Sequence, residues 1–301
     1  MGTPDFAVPT LQKLIDSDYE ITSVFTQPDK PKGRGHKMQF SPVKELAIAN
    51  NLEVFQPNTL KDEAVINSIR EQCPDFIVVA AYGKILPEAI LNIPPYGCIN
   101  VHGSLLPKYR GAAPIQWSVL NGDKATGVTT MYMGKGLDTG DMLLKTEVEI
   151  GANETAGELF DRLAPIGADL LMETLEALVN KTVTPEKQDD SKSNYASIIT
   201  KALSPIDWNK SATEIHNQVR GLNPWPCASS HFGEKGIKIH RTEVLNMSGK
   251  AGKLFMNGNH LCIYCGDGAL QLVEVQLENG KRMSGDVFVN GHPIKDDSYL
   301  N

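Results

Sequence analysis

Long hydrophobic runs are missing from this 301-residue sequence. The longest apolar stretch extends from Phe76 to Tyr82, far short of the roughly 20 residues that a membrane-spanning helix needs. The first residues carry neither a basic cluster nor an apolar segment, so we expect no signal peptide and a cytoplasmic location. The five cysteines are an odd number, which together with the absent leader predicts reduced thiols rather than a disulfide framework.

Positive charge is also scarce. The chain has 29 Lys and Arg residues against 36 Asp and Glu residues, a formal net charge of −7. This balance excludes a uniformly basic nucleic-acid-binding protein, although it is compatible with a local basic patch. The residues from Ser204 onward hold ten basic and ten acidic side chains, so the acidic excess lies before Ser204.

The common nucleotide and metal motifs are absent from the sequence. No Gly-x-Gly-x-x-Gly follows a predicted strand and no Gly-x-x-x-x-Gly-Lys-Ser/Thr occurs, which disfavours nicotinamide and nucleoside-triphosphate chemistry. A single Cys-x-x-Cys pair, Cys262 and Cys265, lies within a predicted strand. Residues three apart on a strand point to opposite faces, so we predict neither a metal site nor a redox pair there.

The first 182 residues alternate short apolar runs with amphipathic helical stretches. This alternation predicts an α/β domain with a mostly parallel sheet and helices on both faces. The predicted strands are Glu20–Thr26, Leu52–Phe55, Phe76–Ala81, Gly97–His102, Gly127–Met133 and Met142–Ile150. The predicted helices are Val43–Asn50, Lys61–Gln72 and Ala156–Asn180, and we expect Pro165 to kink or split the last one.

The pattern of polar and apolar residues changes after residue 182. Residues 183–204 are polar and predict a linker, which leaves 205–301 as a second domain. Ser211 and Glu214 form a capping-box pattern that predicts a helix ending near Arg220. Strand-like runs separated by glycine turns follow and predict a small antiparallel barrel: Gly236–His240, Gly258–Cys265 and Ala269–Gln276.

One short segment between Pro28 and Lys37 concentrates positive charge on this acidic chain. Its candidate phosphate-binding side chains are Lys30, Lys32, Arg34 and Lys37. The segment follows a predicted strand, which places it at the carboxyl edge of the sheet, where α/β proteins bind ligands. Two interpretations stay open: a solvated loop, or a mobile basic arm for a phosphate backbone.

The most informative block surrounds Asn100 and His102, which are two residues apart at the end of a predicted strand and therefore share a face. An amide can stabilise a developing oxyanion, and an imidazole can carry a proton. Neither is an activated nucleophile, so direct attack by an amine on an acyl or formyl group fits better than a covalent intermediate. Ser104 lacks the Gly-x-Ser-x-Gly context of a nucleophile.

A glycine-rich loop from Gly134 to Asp141 contains a second candidate, Asp138. A plain turn, with Asp as a turn former, would explain this loop. In the functional interpretation Asp138 lies beside His102, orients the ring and favours its protonated form.

Together these blocks resemble the 10-formyltetrahydrofolate-dependent formyltransferases. The resemblance depends on Asn100-x-His102, Ser104-Leu105-Leu106-Pro107-x-x-Arg110-Gly111 and Leu137-Asp138-Thr139-Gly140-Asp141. Four further segments narrow it to the branch that acts on methionyl-tRNA: Gly2–Phe6, Phe25–Asp29, Gly33–Gly35 and Asn223–Pro226. It covers essentially the whole chain.

The resemblance implies a Rossmann-like first domain that binds 10-formyltetrahydrofolate as co-substrate, an OB-like C-terminal domain that helps to hold initiator methionyl-tRNA, and no metal. It implies a catalytic trio of Asn100, His102 and Asp138. It assigns folate binding to Ser104, Leu105, Leu106 and Pro107. It also implies that the basic segment, with Arg34 at its centre, enters the acceptor stem of the tRNA. We expect a monomer without membrane contact.

The family has an apolar strand just before the Gly-Thr-Pro-Asp-Phe turn, and here only Met1 precedes Gly2. The expectation is therefore an absent first strand and a poorly stable, poorly active chain. Two alternative functions remain open: a formyltransferase for a small-molecule amine, such as an amino sugar nucleotide or glycinamide ribonucleotide, and a catalytically dead tRNA-binding protein.

Overall fold

The computed structural model describes residues 1–32 and 37–301. Its strands are β1 (Val24–Phe25), β2 (Lys30–Lys32), β3 (Lys37–Gln39), β4 (Val54–Phe55), β5 (Ile77–Ala80), β6 (Cys98–His102), β7 (Arg110–Gly111), β8 (Ala125–Tyr132), β9 (Met142–Glu149), β10 (Tyr195–Ala196), β11 (Ala228–Phe232), β12 (Lys235–Leu245), β13 (Leu254–Asn257), β14 (His260–Tyr264), β15 (Ala269–Leu277) and β16 (Met283–Ser284). Its α-helices are α1 (Val8–Ile15), α2 (Pro42–Ala49), α3 (Glu63–Glu71), α4 (Glu88–Leu91), α5 (Pro114–Leu120), α6 (Ala156–Val179), α7 (Ala212–Gly221) and α8 (Gly285–Gly291).

The chain divides into two compact units that interleave in sequence. The first unit contains Met1–Pro114, Thr126–Val148 and Phe160–Ala196. The second unit contains Ile115–Ala125, Glu149–Leu159 and Ser197–Asn301. The polar stretch that follows α6 thus contributes its residues up to Ala196 to the first unit.

The sheet of the first unit has the order β5-β6-β8-β9. Strands β5 and β6 are parallel, with Val79 opposite Asn100, whereas β6 and β8 are antiparallel, with His102 opposite Thr129. Strands β1 and β4 form a separate parallel pair. The parallel arrangement predicted from the alternation of strands and helices therefore applies to the first strands, and β8 makes the sheet mixed.

Met1 and Gly2 lie between β1 and β5. The Gly2 amide donates to the Phe25 carbonyl at 3.0 Å, the Ala80 amide donates to the Met1 carbonyl at 3.0 Å, and the Met1 amine donates to the Val78 carbonyl at 2.7 Å. A cavity of about 390 Å³ adjoins these residues, lined by Tyr19–Phe25 on one side and Cys73–Val78 on the other. Of the predicted strand Glu20–Thr26, only Val24–Phe25 forms a strand, and the residues before Val24 border this cavity.

Helix α6 runs without a break through Pro165, so the predicted split does not occur. Its apolar face is fully buried at four leucines: Leu159, Leu163, Leu171 and Leu175. A proline inside a helix costs about 3 kcal/mol, whereas burial of each leucine contributes about 1.5–3 kcal/mol. The packing of this face outweighs the proline.

The second unit contains an antiparallel sheet of order β11-β12-β15-β14-β13, with β16 paired to β15. Its apolar core includes Trp208, Ile215, Ile239, Ile263, Leu272 and Phe288. The strand pairing follows an open path from β11 to β13, and these two strands do not pair with each other. The predicted barrel is therefore not confirmed. Single bridges join the last residues to both edges of that path, Leu300 to Phe232 of β11 and Tyr299 to Lys253 beside β13.

Helix α7 begins as its sequence predicts. Ser211 accepts a hydrogen bond from the Glu214 amide, and the Glu214 carboxylate accepts one from the Ser211 amide. The predicted strands of this unit are present as β12, β14 and β15. Within the described parts of the chain, no helix has the length and apolar character to cross a membrane.

Candidate active site

Strand β6 carries Asn100 and His102 into the interior of the first unit. All five of its residues are buried, because β5 and β8 flank it on either side. Asn100 is 9% exposed and His102 is 5% exposed. Their spacing of two places both side chains on one face, so one neighbouring group can contact both.

That neighbouring group is Asp138. Its Oδ1 lies 3.5 Å from Nδ2 of Asn100, and its Oδ2 lies 3.8 Å from Nδ1 of His102. The Gly111 amide donates to Oδ2 at 2.8 Å, which anchors the carboxylate. Gly111 has a φ of +114°, a conformation that glycine adopts readily. The structure therefore brings together the three residues that the sequence nominates.

The hydrogen bond of the His102 ring defines which nitrogen is available for chemistry. Nε2 lies 2.8 Å from the carbonyl oxygen of Tyr109. A carbonyl only accepts, so Nε2 carries a proton and donates it. In the neutral ring Nδ1 then has a free lone pair, and it is this nitrogen that faces Asp138. A proton taken up at Nδ1 would give an imidazolium beside a carboxylate that is only 14% exposed.

The predicted folate segment follows β6 as a tight turn. Its backbone is fixed by Thr129, whose hydroxyl accepts from the Leu106 amide and donates to the Ser104 carbonyl. Ser104 and Leu106 are buried, and the Ser104 hydroxyl donates to the Lys108 carbonyl. Leu105 and Pro107 keep partial exposure. The two exposed members are thus the ones that can contact a ligand through their side chains.

The two described ends of the basic segment are short strands, although its composition suggested a loop. Strands β2 and β3 pair antiparallel, with Lys30 opposite Gln39 and Lys32 opposite Lys37. Arg34, with Gly33, Gly35 and His36, lies outside the described residues. Lys30 is exposed. Just before the hairpin, Lys44 and Gln56 bind the Asp29 carboxylate, and the Lys44 hydrogen bond holds the pKa of Asp29 below its usual range.

Sequence reasoning missed a set of residues that follows the helix α6. Gln188 donates to the carbonyls of Asp138 at 2.8 Å and Gly140 at 2.7 Å, and it accepts from Nε of Arg110 at 2.9 Å. The backbone carbonyl of Asn194 accepts a hydrogen bond from the Arg110 amide. Directly after Asn194, strand β10 pairs with β7. These residues belong to the stretch predicted as a linker, and no spacing or composition in the sequence marks them.

The two cysteines of the Cys-x-x-Cys pair lie in β14 and directly after it. Cys262 and Cys265 are both buried, and burial raises the pKa of their thiols to about 11 and about 12. Thiolates are the form that binds metals. Among residues 1–32 and 37–301, no group of three or more His, Cys, Asp or Glu side chains is placed to hold a metal ion.

The site combines an amide with an imidazole–carboxylate pair at the end of a strand in an α/β sheet. A family described as "Formyl transferase" matches residues 1–175, and its C-terminal domain matches residues 198–293. The chain is 49% identical over 304 residues to the methionyl-tRNA formyltransferase of Acetivibrio thermocellus, covering 100% of this chain and 98% of that protein. It is 51% identical over 303 residues to the methionyl-tRNA formyltransferase of Alkaliphilus oremlandii, with the same coverage. The chain therefore belongs to the formyl transferase family, in its methionyl-tRNA formyltransferase branch.

Solved structures share the fold at lower identity. A sugar 3N-formyl transferase crystallised with dTDP and 5-N-formyl-THF matches with a TM-score of 0.69 and 22% identity, covering 93% of this chain and 97% of that one. An N-formyltransferase from Helicobacter canadensis in complex with folinic acid and dTDP-3-aminofucose matches with a TM-score of 0.66 and 21% identity, covering 90% and 96%.

Proposed function

We propose that the protein transfers the formyl group of 10-formyltetrahydrofolate to the α-amine of methionine on initiator methionyl-tRNA, for translation initiation. The observation that carries this proposal is the cluster of Asn100, His102 and Asp138 in a chain 49–51% identical, over its whole length, to methionyl-tRNA formyltransferases.

The chemistry follows from the contacts of the three side chains. The amine nitrogen attacks the formyl carbon, and the carbonyl oxygen becomes an oxyanion. Asn100 has two N–H donors, of which one points to Asp138 at 3.5 Å and the other is assigned to the oxyanion. The tetrahedral intermediate then collapses as the bond between carbon and the folate nitrogen breaks.

His102 moves the proton that this reaction transfers. The amine nitrogen gains positive charge as it attacks, and it then gives a proton to Nδ1, since Nε2 already donates to the Tyr109 carbonyl. Asp138 stabilises the imidazolium at 3.8 Å, and the same proton passes to the folate nitrogen as it leaves. One N–C bond forms, one N–C bond breaks, and the enzyme returns to its starting protonation state without a metal.

The co-substrate contacts are assigned to the turn after β6. We assign Leu105 and Pro107 to direct contact with the folate, because their side chains keep partial exposure. Ser104 and Leu106 shape the turn from the buried side. Folate compounds in the crystals of two fold relatives support this choice of co-substrate.

The tRNA contacts are assigned to the β2–β3 hairpin, with Lys30, Lys32, Arg34 and Lys37 on phosphates of the acceptor stem. We keep the division into a Rossmann-like catalytic domain (1–182) and an OB-like tRNA-binding domain (205–301), which the extents of the two family matches support. The bridges from residues 299 and 300 to both edges of the second sheet favour the OB-like assignment. A monomer in the cytoplasm completes the proposal.

The alternative of a small-molecule amine as acceptor is less favoured. The sugar 3N-formyl transferase and the N-formyltransferase crystallised with dTDP-3-aminofucose are only 22% and 21% identical to the chain. The clustered trio argues against a catalytically dead tRNA-binding protein.

A transfer assay with radiolabelled formyl-folate separates the three functions. The acceptors are charged initiator methionyl-tRNA, the same tRNA uncharged, and an amino sugar nucleotide. We expect label on the charged tRNA alone. Label on the sugar nucleotide would favour the small-molecule alternative, and binding of tRNA without transfer would identify the inactive one.

A further inference from the structure

Asp138 occupies a backbone conformation that its loop does not enforce by itself. Its φ is +51°, in the left-handed region that costs a non-glycine residue about 1–2 kcal/mol. The segment from Gly134 to Gly140 contains three glycines, which add freedom rather than restraint. Contacts from outside the loop are therefore needed to hold the Asp138 carboxylate 3.8 Å from Nδ1 of His102.

Gln188 provides contacts of the required kind. Its Nε2 donates to the carbonyl of Asp138 and to the carbonyl of Gly140, so that one amide group spans the turn behind the carboxylate. Gln188 as a whole is 6% exposed. Its orientation is unambiguous, because the two carbonyls only accept and the Arg110 guanidinium, 2.9 Å from Oε1, only donates.

The contacts close a ring around the carboxylate. Arg110 binds Gln188 through Nε, and the next residue, Gly111, donates its amide to Oδ2 of Asp138 at 2.8 Å. Gln188 in turn holds the backbone of Asp138. A second nitrogen of Arg110 pairs with Asp190 at 2.8 Å, but Asp190 is exposed and adds little. The buried member that joins both sides of the ring is Gln188.

We propose that Gln188 is a positioning residue that holds the Asp138 carboxylate within reach of His102 and Asn100. The proposal rests on the proposed catalytic role of Asp138. It does not place Gln188 in contact with either substrate. Its loss should therefore lower kcat and leave the KM for formyl-folate and for charged tRNA almost unchanged, since misplacement of a reacting group by about 1 Å can cost on the order of 10²-fold in rate.

Two substitutions separate the contacts of Gln188. Gln188→Ala removes all of them. Gln188→Glu keeps the size of the side chain and an acceptor for Arg110, but it replaces the two donors with an oxygen that faces two carbonyls. We expect both variants to lose kcat, by about 10-fold to 10²-fold. A normal kcat in Gln188→Glu would overturn the proposal.

The matched control is Gln218→Ala in the second unit. Gln218 also donates from Nε2 to two carbonyls, those of Leu203 and Pro205, at 2.8 and 3.0 Å. We expect Gln218→Ala to lower the temperature of thermal unfolding while its kcat stays at the wild-type value, because Gln218 has no contact with Asp138 or its loop. An equal fall of kcat in both variants would make the effect one of stability and would contradict the proposal.

The path of the effect is tested by a double-mutant cycle with Asp138→Asn under single-turnover conditions. If Gln188 acts through Asp138, Gln188→Ala causes little further loss in the Asp138→Asn background. A full additive loss would overturn the proposal while leaving Asp138 catalytic. Near-normal activity of Asp138→Asn alone would overturn the catalytic role of Asp138, and with it the role of Gln188.

Discussion

His102 and Asp138 face each other through Nδ1 and Oδ2 at 3.8 Å, a separation that is longer than a hydrogen bond and short enough for a charge pair. The opposite nitrogen of the ring donates to the Tyr109 carbonyl. The ring is thus fixed in one orientation, with its proton-accepting atom on the side of the carboxylate.

Replacement of His102 by alanine should lower kcat by roughly 10²–10⁴, the range for a general acid–base group. The KM for formyl-folate should change little, because the ring contacts Tyr109 and Asp138 rather than the folate segment. Steady-state kinetics with charged tRNA provide the measurement. Turnover within a few-fold of wild type would remove His102 from the mechanism.

Asn100→Ala tests the oxyanion donor separately. The loss should be about 10²–10³ in kcat, as for removal of a single donor to an oxyanion. Asn100→Asp keeps the shape but places a second carboxylate 3.5 Å from Asp138, so we expect it to be no better than alanine. Recovery of activity in the aspartate variant would contradict the role of Asn100 as a donor.

The sequence predicts from strand spacing that Asn100 and His102 share a face, whereas the place of Asp138 beside them is implied by the family resemblance. The sequence also locates α7 from its capping box, because that signal is local. It could not find Gln188, since a polar side chain in a polar stretch is recognised only once the chain has folded back on the loop of Asp138. The same limit applies to the length of β1, because a strand extends only as far as its neighbours pair with it, here β4 and Gly2.

Substitution of Gly140 by alanine should disturb the loop that carries Asp138. A Cβ atom at position 140 would stand 1.8 Å from the carbonyl oxygen of Tyr132, and backbone cannot move aside cheaply. At Gly134, in the same loop, a Cβ atom would meet nothing within 4 Å. We therefore expect Gly140→Ala to lose most activity and Gly134→Ala to retain it. Kinetics and near-ultraviolet circular dichroism of the two variants make the comparison, and equal activities would show that the loop tolerates displacement.

Arg34→Ala should weaken the use of charged tRNA while the affinity for formyl-folate stays unchanged. The reason is the concentration of positive charge between Lys30 and Lys37 on an acidic chain. Loss of one phosphate contact should reduce the slope of log K against log salt by roughly 0.7–0.9. Lys61→Ala, an exposed lysine of the first unit, is the control. If Arg34→Ala and Lys61→Ala gave the same salt dependence, the basic-arm hypothesis would fail.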